Sequence, residues 1–276
     1  MTEGPPTFAG PPQAAPPPPA PVPPPELDAP FEAHWPPWTA PVALVAALIA
    51  TLVGGGLIVA VVVGAAGDSL SNPPLGATLL ATVFQDVALV AAAILFARHH
   101  DRDISPASFG LRPIPVRRAA PLIVAVFAAS FTFNLFWTLA LGSKQQENLH
   151  KQLGLGSDTL GIVATALVVT AVAPVAEELF FRGYFFAALR RWRGPGLAAV
   201  LTGIAFGAVH GLGATPVVFL VPLAFLGFLL CLLYQRSGSL LPGIAVHVIN
   251  NTLAFGIDEH WGWQIPVLLA GSAAIV

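Results

Sequence analysis

Three short stretches of this 276-residue chain carry side chains whose types and spacing could support hydrolysis of a peptide bond. That reaction needs an activated water, stabilisation of a tetrahedral oxyanion and a proton for the leaving amine. A buried glutamate, two imidazoles and an amide can supply all three. The residues concerned are, in chain order, Glu177, Glu178, Arg182, Phe206, His210, His247 and Asn251.

The two adjacent glutamates are expected to have different roles. Glu178 and Arg182 are four residues apart, so on a helix they share a face and can form an ion pair. Glu177 lies about 100° away around the same helix. We therefore expect Glu178 to stay ionised and structural, whereas Glu177 is the better candidate for a general base. A purely structural charge cluster is the alternative interpretation of this segment.

Two histidines stand apart from the rest because they fall inside apolar segments. Phe206 with His210, and His247 with Asn251, are each four residues apart and so share a helix face. A single histidine near a helix end is more often a core residue than a functional one, so the pattern depends on both together. The other five histidines fall in the tail or in loops: His34, His99, His100, His150 and His260.

The composition predicts that a lipid bilayer surrounds these residues. Of the chain, 55% is hydrophobic and 9% is charged, a balance that would leave a soluble domain with large apolar patches. A spanning helix needs about 20 apolar residues. The sequence predicts an all-α, polytopic transmembrane bundle of about eight spans, at 40–66, 73–97, 119–142, 165–189, 195–213, 215–234, 239–257 and 261–276.

The N-terminal segment differs from the rest. The first 40 residues hold fifteen of the 28 prolines and no Lys or Arg, which is typical of a solvated tail and not of a cleavable secretory signal. The sequence predicts a disordered cytoplasmic tail over residues 1–38 and a transmembrane helical domain over residues 39–276.

The basic residues predict the orientation. If successive loops alternate between the two sides, nine arginines share one side and only Lys144 and Lys151 lie opposite. The positive-inside rule then puts the N-terminus in the cytoplasm of a multi-pass protein of the cell membrane. Four tryptophans are expected to anchor span ends at the membrane surface: Trp35, Trp38, Trp261 and Trp263.

Further polar and small residues within the spans are expected to have structural roles. Gln85, Asp86 and Asn134 are expected to pair with Arg182 or to line a cavity, and not to be catalytic. Glycines 203, 207 and 211 recur every four residues, which predicts close packing of span five against a neighbouring helix. Cys231 lies in an apolar run and is expected to be a buried core residue.

The ordered set of three motifs resembles the signature of the CAAX-protease and bacteriocin-processing (CPBP) family, which includes the type II CAAX prenyl endopeptidases. The resemblance covers about residues 160–256. It implies an intramembrane endopeptidase in which Glu177 activates water with His210, while His247 and Asn251 hold the oxyanion or help to bind a metal. By the same resemblance Glu178, Arg182 and Phe206 support these groups.

The resemblance leaves the cofactor open. The family is commonly classed as metallopeptidase, and a glutamate mechanism without metal has also been proposed for it. Two histidines and a carboxylate would suit a divalent metal such as zinc, with His210 and His247 as ligands if one is bound. The expected partners are the bilayer and a membrane-associated, prenylated or leader peptide substrate. A net charge of −2 argues against nucleic acid.

Two other function classes remain as alternatives. A transporter or channel could also concentrate acids and histidines within its spans, although the chain has no repeated half with matching broken helices. A non-catalytic membrane scaffold could use the proline-rich tail to bind a partner.

Overall fold

The structure is a computed structural model and describes Met1 and residues 35–141, 159–213 and 215–273. These residues form helices and no β-strand. A short 3₁₀ helix, Pro106–Phe109, lies in the loop of residues 101–115. The main helices are α1 (Thr39–Ala66), α2 (Leu75–His100), α3 (Val116–Ala140), α4 (residues 159–192), α5 (residues 195–210), α6 (Val217–Ser237), α7 (Leu241–Asp258) and α8 (Gln264–Ala273).

Within the described residues, five helical stretches are long and apolar enough to cross a membrane, so the chain is a multi-pass membrane protein. They are α1, α2, α3, α6 and the continuous stretch Thr159–His210 that contains α4 and α5. Helix α7 is not among them because it carries the polar residues His247, Asn250 and Asn251, and α8 has only 10 residues.

The stretch Thr159–His210 is a helical hairpin. Its 52 residues would extend for about 78 Å as one straight helix, far more than a bilayer core of about 30 Å. The helix is interrupted at Arg193 and Gly194, and Gly194 adopts a positive φ of 82° that suits glycine. Phe181 and Phe206, at equal distances from the break, pack edge to face with ring centroids 5.2 Å apart. The break therefore returns α5 along α4.

Helix α4 contains two π-helical segments, Val168–Val172 and Leu179–Phe186. The two glutamates lie in the short α-helical piece between them, Ala173–Glu178. Such wide turns are rare and occur often at functional sites. The predicted long helix past Phe181 is present, and its local geometry differs from the regular helix that the sequence suggested.

Close packing of α5 on α6 depends on glycine, as predicted. A Cβ atom added at Gly203 would lie 2.6 Å from the Ala224 carbonyl oxygen, and one at Gly207 would lie 2.6 Å from that of Leu220. Since both obstacles are backbone atoms, a side chain at either position would push the helices apart. Cys231 of α6 is fully buried, also as predicted.

The helix ends that carry most arginines meet at one end of the bundle. The Leu240 amide donates to the Gly110 carbonyl over 2.8 Å, which ties the loop after α2 to the turn between α6 and α7. Tyr184 donates to Thr39 over 2.7 Å, which ties α4 to the start of α1. The predicted tail, except Met1 and residues 35–38, and both lysines of the opposite loop lie outside the described residues.

The prediction for Trp35 was wrong. Its side chain is 2% exposed and stacks on Phe109 and Tyr184 at centroid distances of 5.1 and 5.0 Å. Trp35 therefore belongs to the protein core and does not anchor a span at the membrane surface. Trp38 and Trp263 are 60% and 73% exposed, which agrees with the role predicted for them.

Candidate active site

A buried carboxylate on α4 connects two of the three motifs. Glu178 is fully buried, and its Oε1 accepts hydrogen bonds from Arg182 over 2.7 Å and from Nδ1 of His247 over 3.0 Å. The predicted ion pair between Glu178 and Arg182 is thus present. Because an ionised carboxylate can only accept, the bond fixes the proton of a neutral His247 on Nδ1. The Nε2 atom is left to face the site.

Arg182 packs against one aromatic ring, Phe206, which also contacts both histidines. The guanidinium carbon of Arg182 lies 4.5 Å from the Phe206 ring centroid, close enough for a cation–π contact. Its Nη2 donates to the carbonyl of Gly227 on α6 over 3.2 Å. The rings of His210 and His247 lie on Phe206 at centroid distances of 4.7 and 5.7 Å. One phenyl ring therefore joins the second motif to the third.

Glu177 faces the exposed nitrogen of His247. Its Oε2 atom lies 3.8 Å from His247 Nε2, too far for a direct hydrogen bond and close enough for both to bind one water molecule. The Oε2 atom is shielded from solvent and has no hydrogen-bond partner among the described residues. The carboxylate side chain as a whole is 13% exposed, against none for Glu178. Glu177 is thus the accessible acid of the pair.

Glu177 also lines a cavity of about 290 Å³ together with His210. His210 donates its Nδ1 proton to the Phe206 carbonyl over 2.7 Å, which leaves Nε2 available when the ring is neutral. The other walls are mostly apolar and come from α1, α2, α4 and α5, including Leu48, Leu89 and Phe181. A mostly apolar cavity with a carboxylate and an imidazole in its wall is suited to an apolar ligand with one polar reacting group.

Asn251 is placed one helical turn from His247 but has other contacts. Its Nδ2 donates to the Val169 carbonyl in the first π-helical segment of α4 over 3.0 Å. Its Oδ1 accepts from Asn250 over 3.4 Å. The structure thus brings Glu177 and His247 close together. His210 shares the cavity with Glu177 and contacts the same Phe206 ring as His247. Asn251 is brought to α4, without a direct hydrogen bond to the other three.

Sequence reasoning left Asp86 outside the catalytic group, yet it lies beside it. Asp86 of α2 is 2% exposed, and neither carboxylate oxygen has a partner among the described residues. It is close enough to Glu177 for the two carboxylates to interact electrostatically. The pairing of Asp86 with Arg182 was wrong, since Arg182 binds Glu178. Gln85 lines the cavity as predicted, whereas Asn134 is exposed on the outside of α3.

Gly243 is a further residue that the motifs did not include. A Cβ atom at this position would lie 2.9 Å from Glu178 Oε2. Glycine therefore leaves room for the carboxylate against α7. A signal was available, because Gly243 precedes His247 by four residues and so lies on the same helix face.

Among the described residues, no group of three His, Cys, Asp or Glu side chains is arranged to hold one ion. His210 and His247 each hold Nδ1 to an acceptor, the Phe206 carbonyl and Glu178 respectively, which leaves both Nε2 atoms available to the site. An imidazole held in this way suits metal binding as well as proton transfer.

Comparison with known proteins adds an independent finding. Residues 159–253 match the family model of type II CAAX prenyl endopeptidases, Rce1-like. The matched segment belongs to the CPBP family. No curated protein and no solved structure matches the chain.

The match covers the helices that carry the three motifs. It begins at the start of α4 and ends two residues after Asn251, in agreement with the extent of about 160–256 predicted from the motifs. All seven motif residues lie inside it. Asp86 and the α1 wall of the cavity lie outside it. The family match therefore supports a protease, and the cavity is completed by helices beyond the matched segment.

Proposed function

We propose that this protein is an intramembrane endopeptidase that cleaves a membrane-associated peptide with Glu177 as general base. The observation that supports this proposal best is the relation of Glu177 to His247. Glu177 Oε2 lies 3.8 Å from His247 Nε2, while Glu178 holds the other imidazole nitrogen. An accessible carboxylate next to an oriented imidazole is an arrangement that can bind and activate one water molecule.

The proposed reaction has two steps. Glu177 takes a proton from the bound water as the water oxygen attacks the carbonyl carbon of the substrate, which forms a tetrahedral oxyanion. Glu177 then returns this proton to the amide nitrogen, and the carbon–nitrogen bond breaks to give a carboxylic acid and an amine, which exchange a proton to become a carboxylate and an ammonium. One water molecule is consumed for each peptide bond cleaved. The buried setting strengthens each electrostatic contact.

The other three residues are proposed to orient the water and stabilise the oxyanion. His210, whose Nδ1 is held by the Phe206 carbonyl, presents Nε2 to the water. His247, whose Nδ1 is held by Glu178, presents Nε2 to Glu177 and to the reacting groups. Asn251 uses Nδ2 to reach Val169, and its amide group has one further N–H for the oxyanion.

The cavity suggests the class of substrate. Its apolar walls suit the hydrophobic part of a prenylated or leader peptide, while Glu177 and His210 meet the scissile bond. We also propose that α5, α7 and α8 lie in the membrane, which gives the eight spans expected from sequence. The arginine-rich end of the bundle and the N-terminus then face the cytoplasm of the cell membrane.

The test is a peptidase assay on the purified full-length protein in proteoliposomes, with prenylated and unprenylated CAAX peptides as probes. Glu177→Gln and His210→Ala should each reduce cleavage at least about 100-fold, since general-base catalysis contributes on the order of 10²–10⁴. Glu259→Gln and His99→Ala repeat the same chemical changes away from the cavity and should retain activity. Cleavage by folded Glu177→Gln protein at the wild-type rate would refute the proposal.

A parallel assay with a chelator tests metal dependence separately. A mechanism that uses only protein groups should keep its rate when divalent ions are removed. Loss of activity with chelator, followed by recovery on adding one metal, would contradict the metal-free mechanism while leaving the peptidase assignment in place.

A further inference from the structure

A second cavity, of about 410 Å³, lies at the arginine-rich end of the bundle and away from the candidate active site. It is formed where the loop before α3, the first turns of α3 and the end of α6 meet. Arg112, Arg118 and Arg236 all line it, and the described residues of its wall include no Asp or Glu. We propose that this cavity binds the phosphate headgroup of an anionic phospholipid.

The first step of the argument is that three segments bring positive charge to one place. Arg112 comes from the loop, Arg118 from the first turn of α3 and Arg236 from the last turn of α6. The N-terminus of α3 adds the positive end of a helix dipole, since its N-cap residue Pro115 lines the same cavity. Guanidinium groups bind phosphate oxygens with parallel hydrogen bonds, so phosphate is the anion this wall suits.

The second step is that Arg112 is already held in place. Its carbonyl accepts a hydrogen bond from Ser239 Oγ over 2.6 Å, and its Nε donates to the Gly238 carbonyl. Its Nη2 is shielded from solvent and has no hydrogen-bond partner among the described residues. A shielded donor without an acceptor is costly. A turn of the guanidinium towards the cavity would bring this donor to a phosphate oxygen.

The third step concerns the source of the phosphate. Pro121 and Leu122 of α3 form an apolar part of the wall. Along the outside of the same helix, Val116 and Val124 are 79% and 65% exposed, as expected for residues that contact acyl chains. A phospholipid can place its headgroup among the arginines and its chains on this surface. A soluble phosphate would use only the first of these contacts, so the lipid is the occupant proposed.

Binding can be measured by native mass spectrometry of the full-length protein in detergent, titrated with phosphatidylglycerol or with phosphatidylcholine as the uncharged reference. Phosphatidylglycerol should bind more tightly. Arg236→Gln, an exposed position, should weaken this binding about fivefold, and Arg112→Gln/Arg236→Gln should weaken it about 25-fold. Arg117→Gln and Arg102→Gln/Arg117→Gln remove the same charge outside the cavity and should change it less than twofold.

The possible results separate the explanations. Equal weakening by the cavity variants and their controls would show non-specific charge attraction and overturn the proposal, as would no effect of folded Arg236→Gln protein. A third arm adds millimolar inorganic phosphate. If inorganic phosphate displaces phosphatidylglycerol when both are present at the same concentration, the cavity is a soluble-anion site and the lipid assignment is overturned. Because no peptidase assay is involved, these results are independent of the proposed catalytic function.

Discussion

Glu177 and Glu178 are neighbours in the chain, but the structure gives them different surroundings. Glu178 is fully buried and bound by Arg182 and His247, whereas Glu177 lies on the cavity without a hydrogen-bond partner for Oε2. A change at Glu178 should therefore affect folding, and a change at Glu177 should affect chemistry. The sequence predicted this division from the spacing of Glu178 and Arg182 alone. The contact of Glu178 with His247 was not predicted.

Replacing Glu178 by leucine is expected to destabilise the protein. The change leaves the guanidinium of Arg182 buried without its carboxylate partner, which typically costs about 3–5 kcal/mol. The free energy of unfolding in detergent, measured by denaturant titration, gives the effect. The double variant Glu178→Leu/Arg182→Met removes both charges and should be less destabilised than the single variant. A double variant that is no better than Glu178→Leu would contradict an energetically coupled pair.

Asp86 is expected to lower stability in the native protein because its buried carboxylate has no hydrogen-bond partner among the described residues and interacts with Glu177. Asp86→Asn keeps a buried polar group of the same size but removes the like charge, so it should raise the free energy of unfolding by about 1 kcal/mol. We expect the same variant to lose peptidase activity, because groups that lower stability are commonly retained for function. Asp68→Asn, on an exposed loop, is the matched control and should change neither quantity. Destabilisation by Asp86→Asn would show that Asp86 has a structural partner.

The helices themselves could be predicted well because hydropathy reports directly on which residues face lipid. Span two was predicted at 73–97 and α2 runs from Leu75 to His100, while span seven was predicted at 239–257 and α7 runs from Leu241 to Asp258. The ends differ by a few residues since polar helix turns extend beyond the apolar core. The separate spans predicted at 165–189 and 195–213 correspond to α4 and α5, which lie on either side of the break at Arg193 and Gly194.

Features that depend on packing between distant segments could not be predicted. The π-helical segment Val168–Val172 is as apolar as the turns beside it, and Arg182 in Leu179–Phe186 does not by itself indicate a wide turn, so composition does not distinguish the two segments. Trp35 resembles a membrane-surface anchor in sequence, and only the approach of Phe109 and Tyr184 buries it. The position of Asp86 beside Glu177 follows from how α2 packs on α4. Sequence spacing describes one helix face at a time and gives no distance between two helices.

The position of His210 is expected to depend on how closely α5 approaches α6. Gly207→Ala would place a Cβ atom 2.6 Å from the Leu220 carbonyl oxygen, so the helices must separate and move His210. We expect a loss of about 1–3 kcal/mol in unfolding free energy, typical of overpacking, together with reduced cleavage. Gly196→Ala is the matched control on the same helix, because nothing lies within 4 Å of its added Cβ. It should be neutral or stabilising, and equal effects of the two variants would contradict the packing role.

At the scale of the whole molecule, the two ends of the bundle differ in charge. The start of α1, the loop of residues 101–115 and the turn between α6 and α7 meet at one end, and they carry arginines that include Arg112. The loop of residues 67–74 joins α1 to α2 at the opposite end and contains no Lys or Arg. The proposed cytoplasmic N-terminus and the proposed lipid site both depend on which end faces the cytoplasm.

Cysteine labelling in intact cells can determine this orientation, because the single native cysteine, Cys231, is fully buried and should give little background. Ser71→Cys and Asp103→Cys place an exposed thiol at each end of the bundle. A membrane-impermeant maleimide should label Ser71→Cys in intact cells and Asp103→Cys only after the membrane is opened. The reverse pattern would put the arginine-rich end outside. In that case the orientation predicted by the positive-inside rule would be wrong for this chain.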